Sequence, residues 1–243
     1  LADELAQYLP EPPVVSDGAG SSIEYEEIYA RDEYTDIIPN SVQHNVPAWT
    51  IFAMFFIIIP LTGNLIREKD NGLATRIRVM PVSPFQVLGA KVLIYTIVGM
   101  AQFIMMILMG IYILPFFELP SLMIGKEYGA LFLMALATTL AATGYSVLVG
   151  TIAKTHDQAA VFGMVSVIIF AAIGGIWVPV FMMTNFMQTA SIISPLNWSL
   201  DGFYDILLRG AGLSAIAANI SALIAFSAIN IGLAIMIGKR KSF

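Results

Sequence analysis

The chain has 243 residues, of which 58% are hydrophobic and 12% charged, against roughly 45–50% and 25% in soluble domains, so a bilayer rather than water is the matching solvent. It contains no cysteine, which rules out a disulfide framework, a thiol nucleophile and a Cys-based metal site. The net charge of -5 hides an asymmetry: before Pro47 ten acids stand against Arg31 alone, while the remainder carries 11 Lys/Arg against seven acids.

Residues 1–46 read as a soluble acidic segment and 47–243 as a transmembrane domain. The chain opens at Leu1 with neither an initiator Met nor a basic-then-apolar leader, so we expect it to be an excerpt, with 1–46 the truncated remnant of an external domain. The predicted fold is an all-α integral membrane protein. Five apolar stretches, near 48–66, 87–114, 130–152, 160–180 and 213–237, reach the roughly 20 residues that cross a hydrocarbon core. None shows the polar–apolar alternation of a barrel strand. Pro60 in the first of them is positioned to kink it.

The connection after the first stretch, REKDNGLATRIRVMPVSP, is long and charged. Leu73, Ile77 and Met80 recur at helical spacing, so an amphipathic helix near 67–81 is expected, with Arg67, Glu68, Lys69, Asp70, Arg76 and Arg78 turned to water or a partner. A solvated loop would carry the same charges equally well. The second stretch opens on Ser83-Pro84-Phe85-Gln86, a capping box with Pro at the first helical position, and Thr155-His156-Asp157-Gln158 has the same form before the fourth. Lys91, about two turns into its helix, is placed to snorkel toward the membrane surface. Small residues spaced by four, Ala171 with Gly175, Ala218 with Ala222 and Ala228 with Gly232, offer close helix contact.

Beyond the fourth stretch, the segment near 184–209 is of mixed character. Ser194 is placed to cap a helix starting at Pro195, with Leu196, Leu200, Phe203 and Leu207 on one face and Asn197, Asp201 and Asp205 on another. This reads as short interfacial or re-entrant helices. Trp177, Trp198 and Tyr204 suit an interfacial aromatic belt.

Positive charge orients the whole. With the amino terminus outside, Arg67, Lys69, Arg76, Arg78, Lys91, Lys154, Lys239, Arg240 and Lys241 fall inside, which is nine of the 12 Lys/Arg, as the positive-inside rule requires. The acidic segment is then extracytoplasmic and the carboxyl terminus cytoplasmic. The long stretches hold no Asp, Glu or His at mid-membrane, which disfavours an ion-coupled carrier. Enzyme motifs are also missing. Gly125-Lys126 lacks the rest of a phosphate-binding loop, and His44 and His156 fall on opposite sides, which excludes a shared metal site; no metal ligands and no catalytic residues are assigned.

Glu68 and Gly72, then Pro81 and Ser83, then Lys91, form an E-x-x-x-G, P-x-S and Lys series. Gly174-Gly175 with Pro179, followed by Pro195 and Trp198 before the last stretch, forms a second. In this order the chain resembles the permease subunits of ABC-2 type exporters, in particular the branch with a sizeable extracytoplasmic domain between the first and second spans. The resemblance covers about Pro47 to the end. It implies six spans in the intact subunit and a place in a bacterial plasma (inner) membrane. It implies that Arg67, Glu68, Lys69, Gly72, Arg76, Arg78 and Pro81 belong to a coupling helix seated on a separate nucleotide-binding ATPase, which would carry ATP and Mg while this chain holds no cofactor. Gly174, Gly175, Pro179, Pro195, Trp198 and Asp201 would belong to an outer gate. The implied function is outward movement of an amphiphilic, drug-like or lipid-like substrate by alternating access. The implied partners are the ATPase, a second permease subunit, identical or not, and the lipid bilayer, with a periplasmic adaptor as a further candidate and no nucleic acid. The reading from another class is a membrane-anchored sensor or intramembrane enzyme with an extracytoplasmic ligand-binding head.

Overall fold

The structure is a computed structural model that describes residue 39 and residues 41–72 and 83–240. All of these belong to one unit, residues 37–243. Within them the fold is helical and holds no strand. Five segments are long and apolar enough to cross a membrane: Ser41–Asp70, Gln86–Phe117, Tyr128–Ile152, His156–Ile173 and Leu213–Gly238.

The first segment is two helices, α1 (Ser41–Phe55) and α2 (Ile58–Asp70), parted at Phe56 and Ile57. The break lies where Pro60 dictates. Proline has no N–H for the carbonyl four residues earlier, and its ring crowds that carbonyl. The carbonyl is that of Phe56, which accepts instead from the Ile59 N–H at 3.1 Å. This segment begins seven residues before the predicted 48–66, taking in His44.

The second segment is α3 (Pro84–Leu108), which continues as a π-helical turn (Met109–Ile113) and a 3-10 turn (Leu114–Phe117). The capping box at its start is present: Ser83 Oγ accepts from the Gln86 N–H at 3.2 Å, and Gln86 Oε1 from the Ser83 N–H at 2.9 Å. Helix α4 (Tyr128–Ile152) is the hub, packed against α1, α2 and α3 and against both spanning helices that follow it. Its composition explains why. Ala135, Ala137, Ala141, Ala142 and Gly144 are all buried, and small side chains let neighbouring backbones approach closely where lipid supplies no hydrophobic force between helices.

Helix α5 (His156–Ile173) starts on the expected cap, Thr155 Oγ1 accepting from the Gln158 N–H at 3.2 Å. It stops at Ile173, seven residues before the predicted end at 180. Apolar sequence continues, but Gly175 takes a left-handed φ of 89° and the Ile176 N–H returns to the Ala171 carbonyl at 3.2 Å. That is the six-to-one bond of a Schellman stop. A 3-10 turn (Val180–Met182), α6 (Asn185–Ser191) and α7 (Pro195–Leu207) follow, then the long α8 (Leu213–Arg240).

Contacts fix the directions. Lys69 reaches the end of α4 and His156 sits beside Gly63, while Gly202 on α7 meets Met134 near the start of α4 and Asn219 near the start of α8. Segments one, three and five therefore run one way and two and four the other. Arg67, Lys69, Lys91 and Lys154 share one end, hereafter the basic end; Lys126 and Arg209 lie at the far end, with α6 and α7. The two predicted small-residue pairs on α8 do not make its contact within the chain. Ala218 and Ala228 are exposed and a side chain at Gly232 would meet nothing. The contact face is Ile216, Leu223, Ser227, Asn230 and Ala234, all buried, with Ser227 Oγ donating to the Leu140 carbonyl of α4 at 2.7 Å.

Candidate functional site

At the basic end, α2 runs on through Arg67–Asp70 and closes at Gly72. The Asn71 N–H bonds the Arg67 carbonyl at 2.9 Å and the Gly72 N–H the Lys69 carbonyl at 3.3 Å. Gly72 has φ 66°, the left-handed conformation usual just past a helix end. Arg67 to Lys69 are thus the last turn of the first spanning segment, not the beginning of a separate helix. The rest of the expected amphipathic segment, with Arg76, Arg78 and Pro81, lies outside the described residues, as does the acidic segment before residue 39.

The charged side chains of this last turn have different fates. Arg67 is exposed. Lys69 Nζ donates to the Gly150 carbonyl at 2.9 Å, one of the last carbonyls of α4, where the helix leaves acceptors unsatisfied and favours a cation. Glu68 is ion-paired with Lys91 of α3, the two side chains being 28% and 16% exposed. Lys91 therefore meets a carboxylate where snorkelling to the surface was expected. One turn earlier in α2, Asn64 bonds the Tyr95 hydroxyl, which in turn donates to the Pro60 carbonyl at 3.2 Å. Nearby, the Gln158 side chain accepts from the Lys154 N–H at 2.9 Å, completing the cap of α5.

At the far end, the residues expected at an outer gate converge on α7. A side chain at Gly174 would meet the Phe170 carbonyl at 2.5 Å, Ser194 Oγ at 2.6 Å and the Asn197 N–H nitrogen at 3.1 Å, so only glycine lets α5 end against the start of α7. Gly175 lies next to Val180 and Leu200. Pro179 precedes the 3-10 turn, and Pro195 is buried at the first position of α7. Ser194 departs from expectation: its hydroxyl makes no cap for α7 but donates to the Phe170 carbonyl of α5 at 2.8 Å. That carbonyl also accepts from the Gly174 N–H at 2.8 Å, so the start of one helix adds a second donor to the end of another. Trp198 donates its indole N–H to the Ile192 carbonyl at 2.8 Å and meets Phe226 of α8 edge-on at 6.2 Å. Asp201 accepts from Asn219 of α8 at 3.2 Å. The predicted apolar face of α7, Leu196, Leu200, Phe203 and Leu207, is buried.

One far-end contact escaped sequence reasoning. Tyr204, expected in an aromatic belt, is hydrogen-bonded to Nδ1 of His44 near the start of α1. His44 is 8% exposed, and its Nε2 is buried with no hydrogen-bond partner among the described residues. The partners are 160 residues apart, and nothing in the local pattern of either links them.

None of these side chains combines a nucleophile with a base, and among the described residues no three His, Asp or Glu groups gather as metal ligands. What the arrangement offers is mechanical: one end with exposed Arg67 beside pinned neighbours, the other with the end of α5 and the start of α7 locked together by Gly174 and Ser194.

Comparison with known proteins bears on what such a device does. The model of the ABC-2 family transporter proteins matches residues 16–236. The chain is 25% identical over 181 residues to the linearmycin resistance permease protein LnrN of Bacillus subtilis, covering 73% of this chain and 45% of that protein. It is 26% identical over 182 residues to the inner membrane transport permease YhhJ of Escherichia coli, covering 70% of this chain and 46% of that protein. The chain thus spans about half the length of these curated relatives. No solved structure matches it significantly.

Proposed function

The chain belongs to the ABC-2 family of transporter proteins, and from that membership we propose that it is part of the membrane-spanning permease of an ATP-driven exporter, with ATP hydrolysed on a separate subunit. The observation that carries the reading is the basic end. Arg67, Lys69, Lys91 and Lys154 come from two of the five spanning segments and from the junction between two others, and they collect at the end from which the connection between α2 and α3 emerges. The positive-inside rule assigns that end to the cytoplasm, where a nucleotide-binding partner would sit.

In this reading the permease has two packings of similar free energy, one open to each side, and the nucleotide state of the partner biases them through the connection. Arg67, Gly72, Arg76, Arg78 and Pro81 carry the contact with the ATPase, the arginines through charge-assisted hydrogen bonds. Gly174, Gly175, Pro179, Pro195, Trp198 and Asp201 close the exit at the far end, which is the outer face. A second permease subunit completes the pathway. The cargo is an amphiphilic, drug-like or lipid-like molecule. The name of the Bacillus subtilis relative, which ties that protein to resistance against linearmycin, supports this.

The test is co-purification of the full-length permease with its candidate ATPase, comparing wild type with Arg67→Glu plus Arg76→Glu. We expect the variant to be membrane-inserted and monodisperse but to lose complex formation and ATP turnover. A wild type that engages no ATPase would sink the exporter reading.

A further inference from the structure

The connection between α2 and α3 has two anchor points, and they are held very differently. Helix α2 is built into the bundle: Leu61 and Ile66 are fully buried, Lys69 is fastened to the end of α4, and α2 and α4 pack along their length. The start of α3 is peripheral. From Gln86 to Ile94 no residue is buried, although Leu88 and Val92 lie partly buried against a small cluster that includes Val147 of α4 and Ala234 of α8; farther along, α3 closes on α4 at Gly99, against Thr139. The α2 and α3 backbones scarcely approach each other. Side chains bridge the gap: Leu65, Leu88, Val92 and Tyr95 pack around Leu61 of α2, Val147 of α4 and Ala234 of α8, and a polar series runs from Glu68 to Lys91, from Asn64 to Tyr95, and from Tyr95 to the Pro60 carbonyl.

These polar residues have a common register. Positions 60, 64 and 68 form one row along α2, and 91 and 95 one row along α3, each spaced by a helical turn. The helices run oppositely, so 68 faces 91 and 64 faces 95. Polar groups on apolar helices are costly unless paired, and every member of this row is paired with another. An ion pair with both partners mostly shielded from water is also held more tightly than one on an open surface.

We propose that Glu68, Lys91, Asn64 and Tyr95 are positioning residues for coupling: they strap the peripheral start of α3 to α2, so that both anchors of the connection move as one body with α4. This deepens the exporter reading and rests on it. A push delivered to the connection would then reach the central helix. With the strap cut, α3 would swing aside and the push would be dissipated.

The test uses the full-length permease with its ATPase in nanodiscs, with spin labels on cysteines introduced at the exposed positions Asp70 and Ala90. The α2–α3 distance distribution and the ATP turnover per assembled complex are measured without nucleotide and after trapping with ATP and vanadate. The wild type should give one narrow distribution in both states. Lys91→Met plus Tyr95→Phe should broaden it and lower turnover severalfold at unchanged complex yield. Tyr95→Phe alone, a single hydroxyl removed, should do so in part. The exchange Glu68→Lys with Lys91→Glu should restore both readouts. Unchanged distances and turnover in the cut variant, or no restoration by the exchange, would overturn the strap. Broadened distances with unchanged turnover would overturn its coupling role and leave a structural tie. A wild type that assembles with no ATPase overturns the exporter reading, and the coupling role with it, while the distances in the permease alone still report whether the strap holds.

Discussion

Replacing Gly144 by alanine tests a crossing where two backbones come close, between α4 and α8. A Cβ there would lie 2.5 Å from Ser227 Oγ and 3.0 Å from both Ser227 Cα and the Ser227 carbonyl oxygen. Against an ordinary contact of roughly 3.5–4.0 Å between carbons, the backbone contact falls short by about half an ångström, and a backbone atom cannot rotate away. Overpacking of this kind costs about 1–3 kcal/mol, offset by up to about 1 kcal/mol from alanine's better helix propensity, so a net loss of about 1–2 kcal/mol is expected. Ser227→Ala removes the nearest clashing atom together with its bond to Leu140 and should itself cost about 0.6 kcal/mol, at most about 1.7. Because the two sites touch, the double variant should lose less than the single losses added. Gly232→Ala on the same helix, where nothing lies within 4 Å, is the control and should be neutral or slightly stabilising. Reversible unfolding of the full-length protein in mixed micelles, titrated with denaturing detergent, gives the four values. If Gly144→Ala behaves like Gly232→Ala, the crossing is not as close as drawn and the reasoning fails.

Gly175→Ala should destabilise by at least about 1–2 kcal/mol, since a φ of 89° is a left-handed conformation that costs an L-residue about that much and the new Cβ would press Val180 at 2.7 Å; a melting temperature equal to wild type would refute the Schellman stop. At the far end, burial first and the Asp201 carboxylate second raise the Tyr204 phenol above the ordinary tyrosine value of 10.0. The folded protein therefore holds this proton more tightly than the unfolded chain, so the stabilisation is intact below pH 10 and is lost as pH climbs through the raised value. Phenolate absorbance of wild type and Tyr204→Phe should coincide through the ordinary tyrosine range near pH 10; a one-tyrosine difference appearing there would mean the hydroxyl is not buried.

The sequence by itself determined the fold class and the number of spanning segments, because a hydrocarbon core demands about 20 apolar residues per crossing and that demand is written locally. It also determined the helix starts at Ser83 and Thr155, whose cap partners lie three residues away, and the break imposed by Pro60, a property of one residue and its own carbonyl neighbour. The apolar face of α7 was legible for the same reason. Tertiary structure alone decided where segments begin and end when a distant group supplies the missing partner. The first begins early because Tyr204 receives His44. The fourth ends at Ile173, although apolar residues continue beyond, and the start of α7 packs there, Ser194 adding a second donor to the Phe170 carbonyl. Within the candidate site, the sequence marked Glu68, Lys69 and Lys91 as charges at the basic end. It could not say that Glu68 and Lys91 neutralise each other or that Lys69 caps α4, leaving Arg67 turned outward. Nor could it choose the face of α8 that packs, since several small-residue pairs match the spacing. Only the shape of α4, at Gly144, selects Ser227. The physical reason is common to all of these: a hydrogen bond, an ion pair or a close crossing depends on a partner far away in the chain, while hydropathy, capping and proline geometry act within a few residues.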